Sequence, residues 1–200
     1  MKLAIPPGEF AGYIFDLDGT LVDTMPLHYR AWNRAMHLAG LREELSEDLF
    51  YSLGGVPTRR VASLLADHYG LTIDVEKVFH QKEALFLELR TEMKLIGTVV
   101  AVARRAVAEH IPVSVASGGP RDIVRHTLEL MHLQALFPVV VTPEDVTHGK
   151  PAPDMFLLAA QKMGVPPAKC LVFEDAEPGI QAAEAAGMKW VRVESRPARR

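Results

Sequence analysis

Five short, nearly unbroken apolar runs recur along this chain: YIF (13–15), IPVSVAS (111–117), FPVVV (137–141), CLVFED (170–175) and KWVRV (189–193). Strands with one wet face alternate apolar and polar residues, whereas strands of a parallel sheet are covered on both faces and stay apolar throughout. Helical segments near 98–109, 120–131, 152–163 and 177–186 lie between the runs, each long enough for a crossover connection. The stretches KMG and AAGM put a glycine just past two of these helices, where a helix stops. The pattern predicts an α/β fold, a doubly wound parallel sheet.

Residues 26 to 94 break the alternation and read as helices only, near 26–39, 46–52, 57–69 and 74–91. Trp32, Ala35, Met36 and Ala39 recur at helical spacing, which a core stripe explains. The expected organisation is therefore a core of residues 1–25 and 95–200 with a helical cap, 26–94, inserted after the first strand and covering the sheet's carboxyl edge.

Among 200 residues, 48% are apolar and 24% charged, enough to bury a sizeable core. A formal charge of −3 gives no sign of a nucleic-acid or membrane partner, and the basic end (Arg196, Arg199, Arg200) reads as a solvated terminus. The single cysteine, Cys170, leaves no internal disulfide and suits a reducing compartment; beside an apolar run it is expected to be a buried structural thiol. MKLAIPPGEF has no charged region followed by a long apolar one, and no apolar stretch is long enough to span a bilayer. A cytoplasmic protein is expected.

Ligands of open parallel sheets bind outside the carboxyl ends of the strands. The first strand ends in Asp16 and Asp18, the second in Ser117-Gly118-Gly119 and the fourth in Glu174-Asp175, while Lys150 follows the third in HGKPAPD. Taken singly, each reads as a helix cap or a solvated charge. Together they suit a hard cation beside a phosphoryl group. Mg²⁺ takes oxygen ligands, and Asp16 and Asp175 are the first choice, with the backbone carbonyl of Asp18 and with Glu174. Ser117 and the Gly118 amide could donate to phosphate oxygens at a helix N-terminus, and Lys150 supplies a positive point charge.

DLDGTLVDT, ASGG, HGKPAPD and FEDAEPGIQAA resemble the four ordered motifs of the haloacid-dehalogenase superfamily. The helical insertion resembles the cap of its β-phosphoglucomutase-like phosphatases, and HGKPAPDMFLLAAQKMGV and CLVFEDAEPGIQAAEAAGM are similar to the bacterial fructose-1-phosphate phosphatase branch. The resemblance implies that Asp16 is the nucleophile, forming an aspartyl-phosphate, and that Asp18 is the general acid/base. Members acting on carbon–halogen bonds lack this second acid, so Asp18 argues for phosphoryl chemistry. Asp23 is expected to hold the turn by hydrogen bonding to backbone amides.

Thr24 and His28 share a helix face, and with Lys82 they match the family's T-x-x-x-H pair and cap lysine, which couple closure to positioning of the acid/base. The mutase pattern has Gly-Val-Ser-Arg in the cap. This chain has GGVPTRR, with Thr58 at the arginine position, and Gly119-Pro120 in place of donor-bearing residues beside Ser117. Pro120 cannot offer even a backbone N–H. Arg60, or Arg59, is expected to touch the sugar or its far end. The implied activity is a Mg²⁺-dependent phosphatase of small sugar phosphates, expected to be a monomer. The alternatives are β-phosphoglucomutase on the same scaffold and a non-catalytic sugar-phosphate sensor.

Overall fold

The computed structural model describes residues 3–194; the basic end with Arg196, Arg199 and Arg200 lies outside the described residues. Five strands, β1 (Gly12–Phe15), β2 (Val113–Ala116), β3 (Val139–Val141), β4 (Cys170–Glu174) and β5 (Lys189–Arg192), form one sheet in the order β3-β2-β1-β4-β5. Every pairing is parallel. The chain leaves β1 toward one edge and later returns to the other, so the switch point falls at the carboxyl end of β1, the usual place for a ligand.

Alternation along each strand explains why the runs are apolar throughout. Phe15, Val113, Val115, Leu171 and Phe173 join the larger core with residues of α5 (Gly97–Ala108) and α6 (Arg121–Leu130). Ile14, Ala116 and Val172 face α7 (Asp154–Met163) and α8 (Glu177–Ala185) on the opposite side. The β1–β4 register pairs Phe15 with Phe173, whose rings stack at 4.7 Å and 13°. Ala159, Ala160, Ala182 and Ala183 let α7 and α8 approach closely. Two strands begin two residues after their apolar runs do: Pro112 and Pro138 lack an N–H for the ladder just before β2 and β3 begin. Cys170 is buried, with its thiol 3.7 Å from the Pro166 carbonyl, and burial pushes it up to about 11.

Residues 25–88 form four helices: α1 (Met25–Leu38), α2 (Glu47–Ser52), α3 (Thr58–Tyr69) and α4 (Val75–Glu88). Ser46 caps α2 by accepting from the Leu49 amide, and Asp74 caps α4 by accepting from Lys77. Trp32, Ala35 and Met36 are buried in a core shared with Val61, Leu65, Val78 and Phe86, so the predicted stripe packs α1 and α3 against α4. The predicted fourth helix ends early, at Glu88, and continues as a 3₁₀ turn at Arg90–Glu92. The chain re-enters the core where Leu95 bridges Val22. Among the described residues no helix is long and apolar enough to cross a membrane.

Candidate active site

The β1–β4 ladder carries its last hydrogen bond past β1: the Asp16 amide donates to the Phe173 carbonyl at 3.0 Å. That bond sets Asp16 beside the end of β4, where Glu174 and Asp175 follow. Lys150 Nζ donates to Asp16 Oδ1 and to Glu174 Oε2, both at 2.7 Å, and all three side chains are buried. Glu174 Oε1 accepts from the Ala176 amide at 3.1 Å, while Asp175 Oδ1 accepts from Thr20 Oγ1 at 3.3 Å. Two glycines make this approach possible. Gly19 turns with φ +85°, and a Cβ there would collide with the Asp175 carboxylate; a Cβ on Gly179 would collide with Glu174.

Oxygens of Asp16, Glu174 and Asp175 lie within 4.8 Å of one another, a cluster that could hold a metal ion. Burial, then Glu174, pushes the Asp16 carboxyl well above its ordinary range, with Lys150 pulling the other way. Burial opposes the charge on Lys150, yet Asp16 and Glu174 outweigh it and raise the ammonium group. Three carboxylates against one lysine leave surplus negative charge, and every donor is a hard oxygen. That set fits a divalent cation of the Mg²⁺ kind.

Asp18 faces the other way. Its Oδ1 accepts from Thr24 Oγ1 at 2.6 Å and lies 3.1 Å from His28 Nε2, and its carboxylate is not one of the three in the acidic cluster. Burial would raise this carboxyl; His28, Thr24 and Lys82 more than offset that and bring it to about 2. Burial and then Lys82 push His28 down, against the pull of Asp18. The His28 ring stacks on Phe86 at 3.8 Å, and Lys82 Nζ lies 5.1 Å from the centre of the same ring.

Between Asp16, Asp18 and the helical segment lies a cavity with about 70 Å³ open to the centre of a water molecule. Ser117, Gly118, His28 and Lys82 line it, as do Met25, Phe50, Leu53 and Val61. Ser117 Oγ accepts from the Gly119 amide at 3.1 Å; Pro120, not Ser117, occupies the N-cap of α6. The loop GGVP reaches the core here, since a Cβ on Gly118 would stand 2.5 Å from the Gly55 carbonyl.

The haloacid dehalogenase-like hydrolase family matches residues 10–187. This chain belongs to that family. The hydrolase is 37% identical to the fructose-1-phosphate phosphatase YqaB of Escherichia coli, over 92% of this chain and 97% of the relative. It is 31% identical to a phosphorylated carbohydrates phosphatase of Thermotoga maritima, over 88% and 81%. A solved hydrolase from Pseudomonas syringae superposes with a TM-score of 0.82 at 27% identity, covering 90% of this chain and 83% of that one.

Two expectations about this hydrolase are corrected. Arg60 is exposed and does not line the cavity. Thr58 and Val61 do, and one residue on from or before them turns a side chain by about 100°. Arg59 is likewise turned out, paired with Glu76 at 2.7 Å over the ring of Phe79 at 3.9 Å. Asp23 does not hold the turn through its carboxylate: Oδ1 is buried with no hydrogen-bond partner among the described residues, and the backbone does the work, the Gly19 N–H donating to the Val22 carbonyl at 2.8 Å and the Asp23 N–H to the Lys94 carbonyl at 2.8 Å. Sequence reasoning missed Thr20 and Glu83. Glu83 lines the cavity beside Lys82, a neighbour that helical periodicity would turn elsewhere.

Proposed function

We propose that this hydrolase is a Mg²⁺-dependent phosphatase of small sugar phosphates, acting through an aspartyl-phosphate on Asp16. The observation that carries the reading is Lys150 bridging Asp16 and Glu174 beside Asp175, with Asp16 and Asp18 both lining the adjoining cavity. Asp16 and Asp175 would hold the cation with the Asp18 carbonyl, Glu174 being engaged by Lys150 and the Ala176 amide. When bound, the ion supplies charge neutralisation at the phosphoryl oxygens.

Lys150 holds Oδ1 of Asp16, and the other oxygen attacks phosphorus as the bond to the sugar oxygen breaks. Lys150, Ser117 and the Gly118 amide balance charge on the phosphoryl oxygens. A bound phosphoryl group brings negative charge beside Asp18 and raises it from its low resting value, so the acid is populated when substrate is in place. Asp18 gives its proton to the leaving oxygen, then takes one from the water that cleaves the acyl phosphate. Inorganic phosphate departs and Asp16 is restored. Thr24, His28 and Lys82 fix the orientation of Asp18, and the helical cap, residues 26–94, excludes bulk water.

A mutase needs a second phosphate site at the far end of a bisphosphate. Among the described residues no arginine lines the cavity, and the charge of Lys82 is offset by Glu83, which favours hydrolysis. Phosphate release across a panel of sugar phosphates tests the reading. D16N is expected to fold and to lose activity by on the order of 10⁴-fold or more; retained release by this variant would end the mechanism. Conversion of β-glucose 1-phosphate to glucose 6-phosphate without net phosphate would establish the mutase instead.

A further inference from the structure

Outside the carboxylate–lysine centre, the helical segment places a second buried ion pair in the cavity wall. Lys82 and Glu83, consecutive on α4, are 2% and 7% exposed. Both line the cavity. Lys82 Nζ donates to Glu83 Oε1 at 3.0 Å. Glu83 Oε2 is buried and has no hydrogen-bond partner among the described residues. The same cavity is lined by Met25, Phe50, Leu53, Val61 and Ile123, which have no donor to give, and by His28, Trp32 and Thr58, none of which bonds this oxygen. A buried acceptor left bare is unfavourable, and native structures pair nearly all such groups. A hydroxyl reaching this oxygen from the cavity would supply the missing donor.

We infer that Glu83 Oε2 accepts a hydroxyl of the leaving group, so that the site selects uncharged polyol monophosphates and rejects leaving groups carrying a second anion. The inference rests on the phosphatase reading, since it names what departs from phosphorus. A carboxylate can only accept, and a sugar hydroxyl is the donor that a phosphorylated carbohydrate carries in number. A substrate lacking that hydroxyl leaves the acceptor unpaired, which sites of this kind penalise strongly. A carboxylate or second phosphate near Glu83 meets like charge behind an apolar wall, where screening is weak. Lys82 brings a single positive charge, and the carboxylate of Glu83, bonded to it at 3.0 Å, already offsets that charge.

The test uses the intact chain with Mg²⁺ and measures kcat and KM for phosphate release. Substrates are fructose 1-phosphate, fructose 1,6-bisphosphate, p-nitrophenyl phosphate, and glucose 6-phosphate with its 2-, 3- and 4-deoxy derivatives. For the unmutated enzyme, the bisphosphate is expected to trail fructose 1-phosphate at least tenfold in kcat/KM. At least one deoxy derivative should lose tenfold, mainly in KM. E83Q removes the charge but keeps a group that bonds hydroxyls; it should erase most of the discrimination against the bisphosphate and keep the hydroxyl preference. E83L should lose both. If E83L fails to fold, E83Q decides. The inference is overturned if E83Q scales every substrate by one factor, p-nitrophenyl phosphate included, because Glu83 then only braces Lys82. It is equally overturned if no deoxy derivative loses more with the unmutated enzyme than with E83L. Both outcomes leave the phosphatase reading standing. Failure of the unmutated enzyme to release phosphate from any substrate would overturn that reading, and the inference with it.

Discussion

The two walls of the cavity are built on opposite principles. The sheet edge concentrates charge, with Asp16, Lys150 and Glu174 buried within hydrogen-bond reach and Asp175 beside them. The helical wall is mostly apolar and offers one pair, Lys82 with Glu83, of which one oxygen is left without a donor. Buried charges that neutralise one another fix positions, and chemistry that moves a phosphoryl group needs fixed positions. An unsatisfied acceptor in an apolar wall does the reverse: it waits for a ligand. On the proposed function, the contrast gives reaction to the sheet edge and choice of leaving group to the helices.

The hardest blow to that division is removal of Lys150. K150M keeps an unbranched side chain but strips the charge from between Asp16 and Glu174, and from over the Phe156 ring, and unpairing buried ions costs about 3–5 kcal/mol. Urea unfolding at pH 8 should show a loss of that size. The loss should shrink at pH 5. Asp16 already sits above its unfolded value, and a group raised by folding gains stability as pH falls through its folded value. A loss that ignores pH would mean that the carboxylates there do not share an electrostatic site.

Next in size is the response to Mg²⁺. The surplus charge of Asp16, Glu174 and Asp175 predicts that Mg²⁺ raises the unfolding temperature, by about 2.7 kcal/mol of stability at a hundred times Kd. D175N should abolish the shift, as read by calorimetry on enzyme stripped with EDTA. A shift that survives D175N would place the ion elsewhere.

The sheet edge was legible in the sequence and the helical wall only in part, through His28 and Lys82, and the reason is physical. Parallel strands must end at one edge, so residues that follow apolar runs meet there whatever lies between them; this is how Asp16, Ser117, Lys150 and Glu174 could be grouped from four separate stretches. On a helix, facing depends on 100° steps and on packing partners that no motif names. Glu83 was invisible for that reason, and Arg60 was placed on the wrong side. Asp23 shows a third kind of miss: a carboxylate in a turn suggests a local hydrogen bond, but here the backbone closes the turn by itself.

Asp18 lies on the border between the two walls, and its resting state offers a finer cut. Its ordinary value of 3.8 falls to about 2 in the fold, so it stabilises above pH 4 and loses that contribution as pH falls toward 2. One pKa unit is about 1.4 kcal/mol, so the loss is on the order of 2 kcal/mol. D18N, compared without metal by denaturant unfolding at pH 5 and pH 2.5, should lack that part of the acid decline. If the two proteins decline alike, His28 and Thr24 do not hold Asp18 ionised, and the helical segment does not reach across to this carboxylate.

The smallest effect is the most exacting for the geometry. R60A removes a cation one step from Val61 on α3, yet its side chain is exposed and off the cavity, so KM for a sugar phosphate should move within about twofold, the scale of ordinary surface changes. T58A, at a position that does line the cavity, should raise KM more than R60A with a smaller change in kcat. If R60A is instead the stronger, by tenfold or so, substrate meets a different face of α3 from the one turned inward here. The helical wall would then be charged in the working complex, and the division between a reacting edge and a selecting wall would have to be redrawn around Arg60.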